Sequence, residues 1–167
     1  MEVYLDFENG SPLPEEVLKE ILPYFNKKGF GHSALTHKRG WESYGIIEES
    51  AKEISNLLGT EPNKINFTHD AVEAANLAIL GLQPKDKRNK IFISKIEPLH
   101  FQYPVEELEK RGFEVAKIPV DSEGFLDEDF LFKNLDEKTH LFVFSWINHE
   151  IGTIQKFEEI CKRVKEK

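Results

Sequence analysis

The spacing of apolar residues changes along the chain, and each change predicts an element. Val17, Leu18, Ile21, Leu22 and Phe25 recur at helical spacing, with prolines just ahead of them, so a helix is predicted there. An extended Val3-Tyr4-Leu5 and a turn through Glu8-Asn9-Gly10-Ser11-Pro12 precede it, and a bend at Gly29-Phe30-Gly31 follows. Ile46, Ile47, Ala51, Ile54, Leu57 and Leu58 form a second helical stripe, which Gly59 stops. From residue 65 the period shortens. Ile65-Asn66-Phe67-Thr68, Lys90-Ile91-Phe92-Ile93-Ser94, residues 113–120 and Leu141-Phe142-Val143-Phe144-Ser145-Trp146 read as strands. Helices are predicted between them over 71–80, up to Arg111-Gly112, and from an Asp127 cap to Leu135, with a last amphipathic helix from Phe157 to Val164. Strands alternating with helices imply parallel βαβ units, hence an α/β fold with a mostly parallel sheet flanked by helices. The 141–146 run is the most apolar, which predicts a strand covered on both faces.

Composition narrows the function classes. The chain has 167 residues, 40% hydrophobic and 31% charged, enough for one domain with a core and against long disorder. The formal charge of −8 opposes broad binding to nucleic acid or anionic membrane. No apolar run reaches the roughly 18–20 residues of a membrane span, and Met1-Glu2-Val3-Tyr4-Leu5-Asp6 lacks the pattern of a signal peptide. The single cysteine, Cys161, cannot form an intrachain disulfide and fits a reducing compartment, so a cytoplasmic location is expected.

Few positions carry chemistry by residue type alone. Thr68-His69-Asp70-Ala71 lies where a strand is predicted to meet a helix, a place where α/β sheets bind ligands and helix ends attract anions. Asp70 is equally a plain helix cap, and the turn has no glycine. His149 and Glu150 follow the 141–146 strand and suit an acid–base pair or a simple polar loop. None of the 6 histidines has metal-ligand spacing, so no metal site is expected. Cys161 shares a helical face with Phe157, Ile160 and Val164 and reads as a small buried hydrophobe, while Lys162, Arg163, Lys165 and Lys167 suit a solvated helix end.

Taken in order, the segments resemble the N-terminal part of the cysteine desulfurases, pyridoxal-phosphate enzymes of the class V aminotransferase group. The resemblance rests on Val3-Tyr4-Leu5-Asp6, on Pro12-Leu13 with Glu16-Val17, and on Phe30-Gly31 with His37 and Gly40. It continues through Ile65-Asn66-Phe67-Thr68 and Glu73-Ala74-Ala75-Asn76-Leu77-Ala78, then Arg111-Gly112-Phe113-Glu114-Val115 and Pro119-Val120-Asp121. It is closest in Asn148-His149-Glu150-Ile151-Gly152-Thr153-Ile154-Gln155, which is similar to the family's NNEIGTIQ.

The resemblance implies the large-domain fold of the fold type I pyridoxal-phosphate enzymes. It implies one incomplete domain over 1–167, with an N-terminal arm and helix over 1–40 and an α/β part over 41–167. It puts the cofactor phosphate at the backbone amides of Ala71 and Val72, where Val72 stands in place of a phosphate-binding threonine and Asp70 brings a repelling charge. The histidine that stacks on the pyridine ring falls on Pro98, with His100 two residues on as a substitute, and His149 replaces an asparagine that contacts the cofactor. The aspartate for the ring nitrogen, the Schiff-base lysine and the sulfur-accepting cysteine fall beyond Lys167 in the family pattern. The expectation is therefore an N-terminal half of a split cysteine desulfurase-like enzyme, active only with a second polypeptide. The alternatives are a degenerate, non-catalytic partner of a desulfurase or sulfur carrier, and a binding module for another anionic small molecule at the same turn.

Overall fold

The computed structural model describes residues 3–7, 10–82, 84 and 87–166. Its contacts divide the chain into two units, Met1–Phe67 and Thr68–Lys167. The first unit contains the whole of a helix that runs without interruption from 38 to 58.

In the first unit, α1 (Glu15–Ile21) passes directly into a 3-10 turn, Leu22–Phe25, with Pro23 in its first turn. Proline has no amide to continue an α-helical ladder, which accounts for the tightening. The predicted helix is therefore present as an α-helix followed by a tighter turn. Helix α2 (Lys38–Leu58) starts on His37, whose Nδ1 accepts from the Gly40 amide at 3.1 Å. It stops at Gly59, whose φ of +65° glycine adopts without steric cost. Val3-Tyr4-Leu5 is not part of a strand, and Tyr4 instead donates to the Gly10 carbonyl at 2.7 Å. Glu8 and Asn9 of the predicted turn lie outside the described residues. Ile65-Asn66-Phe67-Thr68 is also not a strand. It follows a 3-10 turn, Pro62–Lys64, and no neighbouring strand pairs with it among the described residues.

The second unit is a parallel α/β layer structure. Helix α3 (Ala71–Gly81) leads to β1 (Lys90–Ser94), α4 (Leu99–Lys110), β2 (Glu114–Ile118), α5 (Glu128–Asn134), β3 (Thr139–Val143) and α6 (Phe157–Lys165). The described sheet has three strands in the order β2-β1-β3, both pairings parallel. Alternation along β1 sorts its side chains onto two faces. Ile91 and Ile93 join Ile79, Val105 and Leu108 on the side of α3 and α4. Phe92 joins Ile118, Leu126, Leu131, Leu135 and Ile160 on the side of α5 and α6. Each fully buried side chain of this size contributes about 1.5–3 kcal/mol, so β1 is the seed of both cores. The expected α/β class, with helices on both faces of a parallel sheet, is what the fold shows.

One strand reading is corrected. The 141–146 run does not give the most buried strand. β3 spans residues 139–143, is half-buried along its length and lies at an edge of the described sheet, whereas the central β1 is buried at every position. Hydrophobicity reported what the strand could bury, not where the topology placed it.

Candidate functional site

The strand order creates a switch point. From β1 the chain turns through α4 to β2 on one side; from β3 it turns towards α6 on the opposite face. The carboxyl ends of β1 and β3 are thus adjacent while their connections diverge, and such a crevice is where open α/β sheets bind ligands.

Buried polar side chains stitch the two strand ends together. Glu97 is only 4% exposed, and its carboxylate accepts from the Ser145 amide at 2.9 Å and from the Ser145 hydroxyl at 2.5 Å. The Glu97 carbonyl also accepts from Gln102 Nε2 of α4. A buried carboxylate is tolerated only when donors meet it, and here both come from Ser145 across the crevice. Asn148, 3% exposed, donates to the Ile96 carbonyl at 3.1 Å while its Oδ1 accepts from the Glu150 and Ile151 amides at 2.9 and 3.1 Å.

Residues 146–155 form a closed turn on this base. Ile147 bridges Ile154, the Asn148 amide donates to the Thr153 carbonyl, and Gly152 sits at φ +74° where the chain reverses. Gln155, buried, donates to the Gly124 carbonyl at 2.7 Å and accepts from the Leu126 amide at 3.2 Å. Its backbone amide donates to the Trp146 carbonyl, so the turn is tied at its foot as well.

The expected site residues divide between this base and the surface. His149 lies exposed at the tip of the turn that Asn148 anchors. Pro98 is the N-cap residue of α4, with φ −56° and ψ 152°, which fits a proline opening a helix. His100, in the first turn of α4, is half-buried with its ring 4.4 Å from that of Phe101. The hydrogen bonds of Glu97 and Asn148 bring the 96–98 and 145–149 segments together.

Ala71 and Val72 open α3, and the hydrogen bonds of this turn are local. Asp70 Oδ1 accepts from the Glu73 amide at 2.8 Å, and Glu73 Oε2 accepts from the His69 amide at 2.6 Å, a reciprocal capping pair. The Thr68 hydroxyl donates to the Asp70 carbonyl, and His69 Nδ1 lies 3.8 Å from Asp70 Oδ2. The Val72 side chain is 51% exposed.

Sequence reasoning passed over Glu97 and Asn148 as structural centres. The available signal was an acidic residue three positions beyond the strand Lys90–Ser94 with its apolar centre, a place where a carboxylate either meets solvent or finds donors. Cys161 is half-buried rather than fully buried and lines a groove of about 320 Å³ with Phe142, Phe144, Phe157 and Val164. Among the described residues, no group of three or more His, Cys, Asp or Glu is placed to hold a metal ion, and no helix is long and apolar enough to cross a membrane.

Comparison with known proteins gives a consistent result. The aminotransferase class-V family model matches residues 3–167. A cysteine desulfurase IscS of Dictyoglomus turgidum is 38% identical over 167 residues, covering 99% of this chain and 42% of the relative. Cysteine desulfurase IscS 1 of Archaeoglobus fulgidus is 36% identical over 161 residues, covering 95% of this chain and 42% of the relative. A solved structure described as a NIFS-like protein superposes with a TM-score of 0.91 at 30% identity, over 100% of this chain and 46% of its own. The chain therefore spans well under half the length of the relatives it matches.

Members of that desulfurase family depend on pyridoxal phosphate, and the residues here meet that requirement unevenly. The 146–155 turn is firmly built and presents His149. The α3 turn does not fit a phosphate dianion. Two carboxylates cap it, one takes the Glu73 amide that faces the helix end, and no Lys or Arg is paired with either of them among the described residues.

Proposed function

The chain belongs to the aminotransferase class V family, and on that footing we propose that it is the N-terminal half of a split cysteine desulfurase-like enzyme, working only with a polypeptide that completes its fold. The observation that carries this reading is the flank beyond β3. Among the described residues β3 is an edge strand, and Phe142, Phe144, Phe157 and Trp146 extend from it as a row of stacked rings with centroids 4.4, 5.6 and 5.1 Å apart. Trp146 is 54% exposed and β3 is half-buried throughout. An open strand edge beside an aromatic surface is the kind of flank that further sheet and helix cover.

In this reading the partner supplies the Schiff-base lysine, the aspartate for the ring nitrogen and the sulfur-accepting cysteine that the family resemblance implies. It also holds pyridoxal 5′-phosphate, because the α3 turn with Ala71 and Val72 does not suit the phosphate. This chain contributes His149, held out on the anchored turn, and His100 in the first turn of α4. Sulfur mobilisation from cysteine is the activity proposed for the assembled pair.

A second reading, a non-catalytic scaffold or regulatory partner of a desulfurase or sulfur carrier, draws on two particular observations. Pro98 serves as the N-cap of α4 where a stacking histidine is expected, and carboxylates cap α3.

Native mass spectrometry of the tagged protein, purified gently from its host, separates the two. A stoichiometric second chain together with the mass of pyridoxal phosphate supports the split enzyme. A second chain without cofactor supports the scaffold. A lone chain free of both removes the proposal. In a cofactor-bearing complex, His149→Ala should weaken cofactor retention, and an unchanged cofactor absorption spectrum would remove His149 from the site.

A further inference from the structure

The mismatch at α3 has a specific cause. We propose that the N-terminus of α3 is occupied by the chain's own charge: the Asp70 carboxylate takes the place an anion would have and excludes phosphate groups, the cofactor's phosphate among them. This rests on the family membership and sharpens the proposed division of labour, but it does not depend on a second chain being found.

Three observations converge. Asp70 adopts an extended conformation, φ −156° and ψ −178°, that brings its side chain back over the first turn, where Oδ1 accepts from the Glu73 amide at 2.8 Å. Glu73 then reaches back to the His69 amide, so a second carboxylate lies on the same turn and the two fix each other's geometry. Among the described residues the only basic group paired with either is His69, 3.8 Å from Asp70 and 92% exposed, a weak counter-ion in water. A dianion approaching the Ala71 and Val72 amides meets two negative charges within a few ångströms, and one of the helix-end donors is already in use. The helix dipole, about half a charge, is answered by the carboxylates before any ligand arrives. Val72 adds no hydroxyl to offset this.

The test uses the full chain, labelled with nitrogen-15, and follows the amide resonances of Ala71, Val72 and Glu73. The probes are inorganic phosphate and 4′-deoxypyridoxine 5′-phosphate, which lacks the aldehyde that reacts with surface lysines. In the unmodified chain these three resonances should move no more than other exposed amides. Asp70→Asn keeps a side-chain acceptor for the Glu73 amide, and so keeps the cap, while removing the charge. It should tighten apparent phosphate binding at these amides about tenfold, from the loss of one like charge facing a dianion at short range in a largely aqueous setting. Saturable binding of either probe at these amides in the unmodified chain overturns the proposal. So does an Asp70→Asn chain, correctly folded by its amide spectrum, that binds no better than its parent. Failure of the split-enzyme reading shows instead as a missing second chain in the mass spectrum and leaves these resonances untouched.

Discussion

Two turns on the second unit are built on opposite principles. The 146–155 turn hangs on side chains that are nearly inaccessible to water and that bond to partners about 30–50 positions away in sequence, Asn148 to Ile96 and Gln155 to Gly124 and Leu126. The turn at the start of α3 is exposed, and its bonds span no more than 4 residues. A residue lost from the first strands buried polar groups at a strand junction. A residue changed in the second is absorbed by a neighbouring side chain or by water.

The strongest way to break the contrast is Asn148→Ala. It leaves the Ile96 carbonyl and the Glu150 and Ile151 amides without a partner, and should cost about 3 kcal/mol in denaturant unfolding. A loss below about 1 kcal/mol would mean that water enters the turn and that it is not anchored as described. Glu97→Gln comes next, at about 1–2 kcal/mol, because two charge-assisted bonds become neutral ones and the Ser145 hydroxyl must turn from donor to acceptor to meet the new NH₂ group. At the α3 turn, Asp70→Ala should cost about 1 kcal/mol, and Asp70→Asn only a few tenths. An Asp70→Ala penalty as large as that of Asn148→Ala would erase the distinction between the two turns.

A pH titration adds the opposite end of the sheet to the comparison. Lys90, at the start of β1, donates to Asp136 at 3.0 Å and to the Asn134 carbonyl at 2.7 Å, with Glu114 at 3.8 Å. The hydrogen bond from Lys90, aided by the Lys138 amide and the charges of both lysines, lowers the Asp136 carboxyl below its ordinary value of 3.8, against a smaller opposing effect of partial burial. A depressed folded value means that this contribution is complete above the unfolded value and disappears as pH falls through the folded one. Stability should therefore decline on acidification below about pH 4, and less steeply in Asp136→Asn. Equal acid slopes for parent and variant would show that other carboxylates govern that limb. The smallest effect is expected for His149→Ala, within about 0.5 kcal/mol on stability because the side chain is exposed. A larger loss would make His149 part of the turn's frame rather than a group it presents.

Much of the fold could be read before any coordinates. β1 keeps its predicted bounds because Lys90-Ile91-Phe92-Ile93-Ser94 is a short apolar run between polar residues, and every position found cover. Asp127 caps α5 through the Phe130 amide, and Gly59 ends α2, because caps are decided by residues a few positions apart. Ile65-Asn66-Phe67-Thr68 failed as a strand for the complementary reason: a strand exists only when a neighbour pairs with it, and short-range pattern carries no information about that neighbour. Of the candidate site, the residue types at Ala71, Val72, Pro98, His100 and His149 were legible. The Glu97–Ser145 clamp was not, because its two members are separated by 48 positions and nothing local couples them.

The sequence by itself determined most of the segments that become helices and strands, where most of them stop, and which family the order of motifs resembles, since these depend on local sterics and on the period of apolar side chains. Only the tertiary structure decided that β1 rather than β3 is central and that Glu97 and Asn148 join the two strand ends. Those outcomes depend on which distant groups share a low-dielectric interior or compete for one donor, and that is settled when the layers pack.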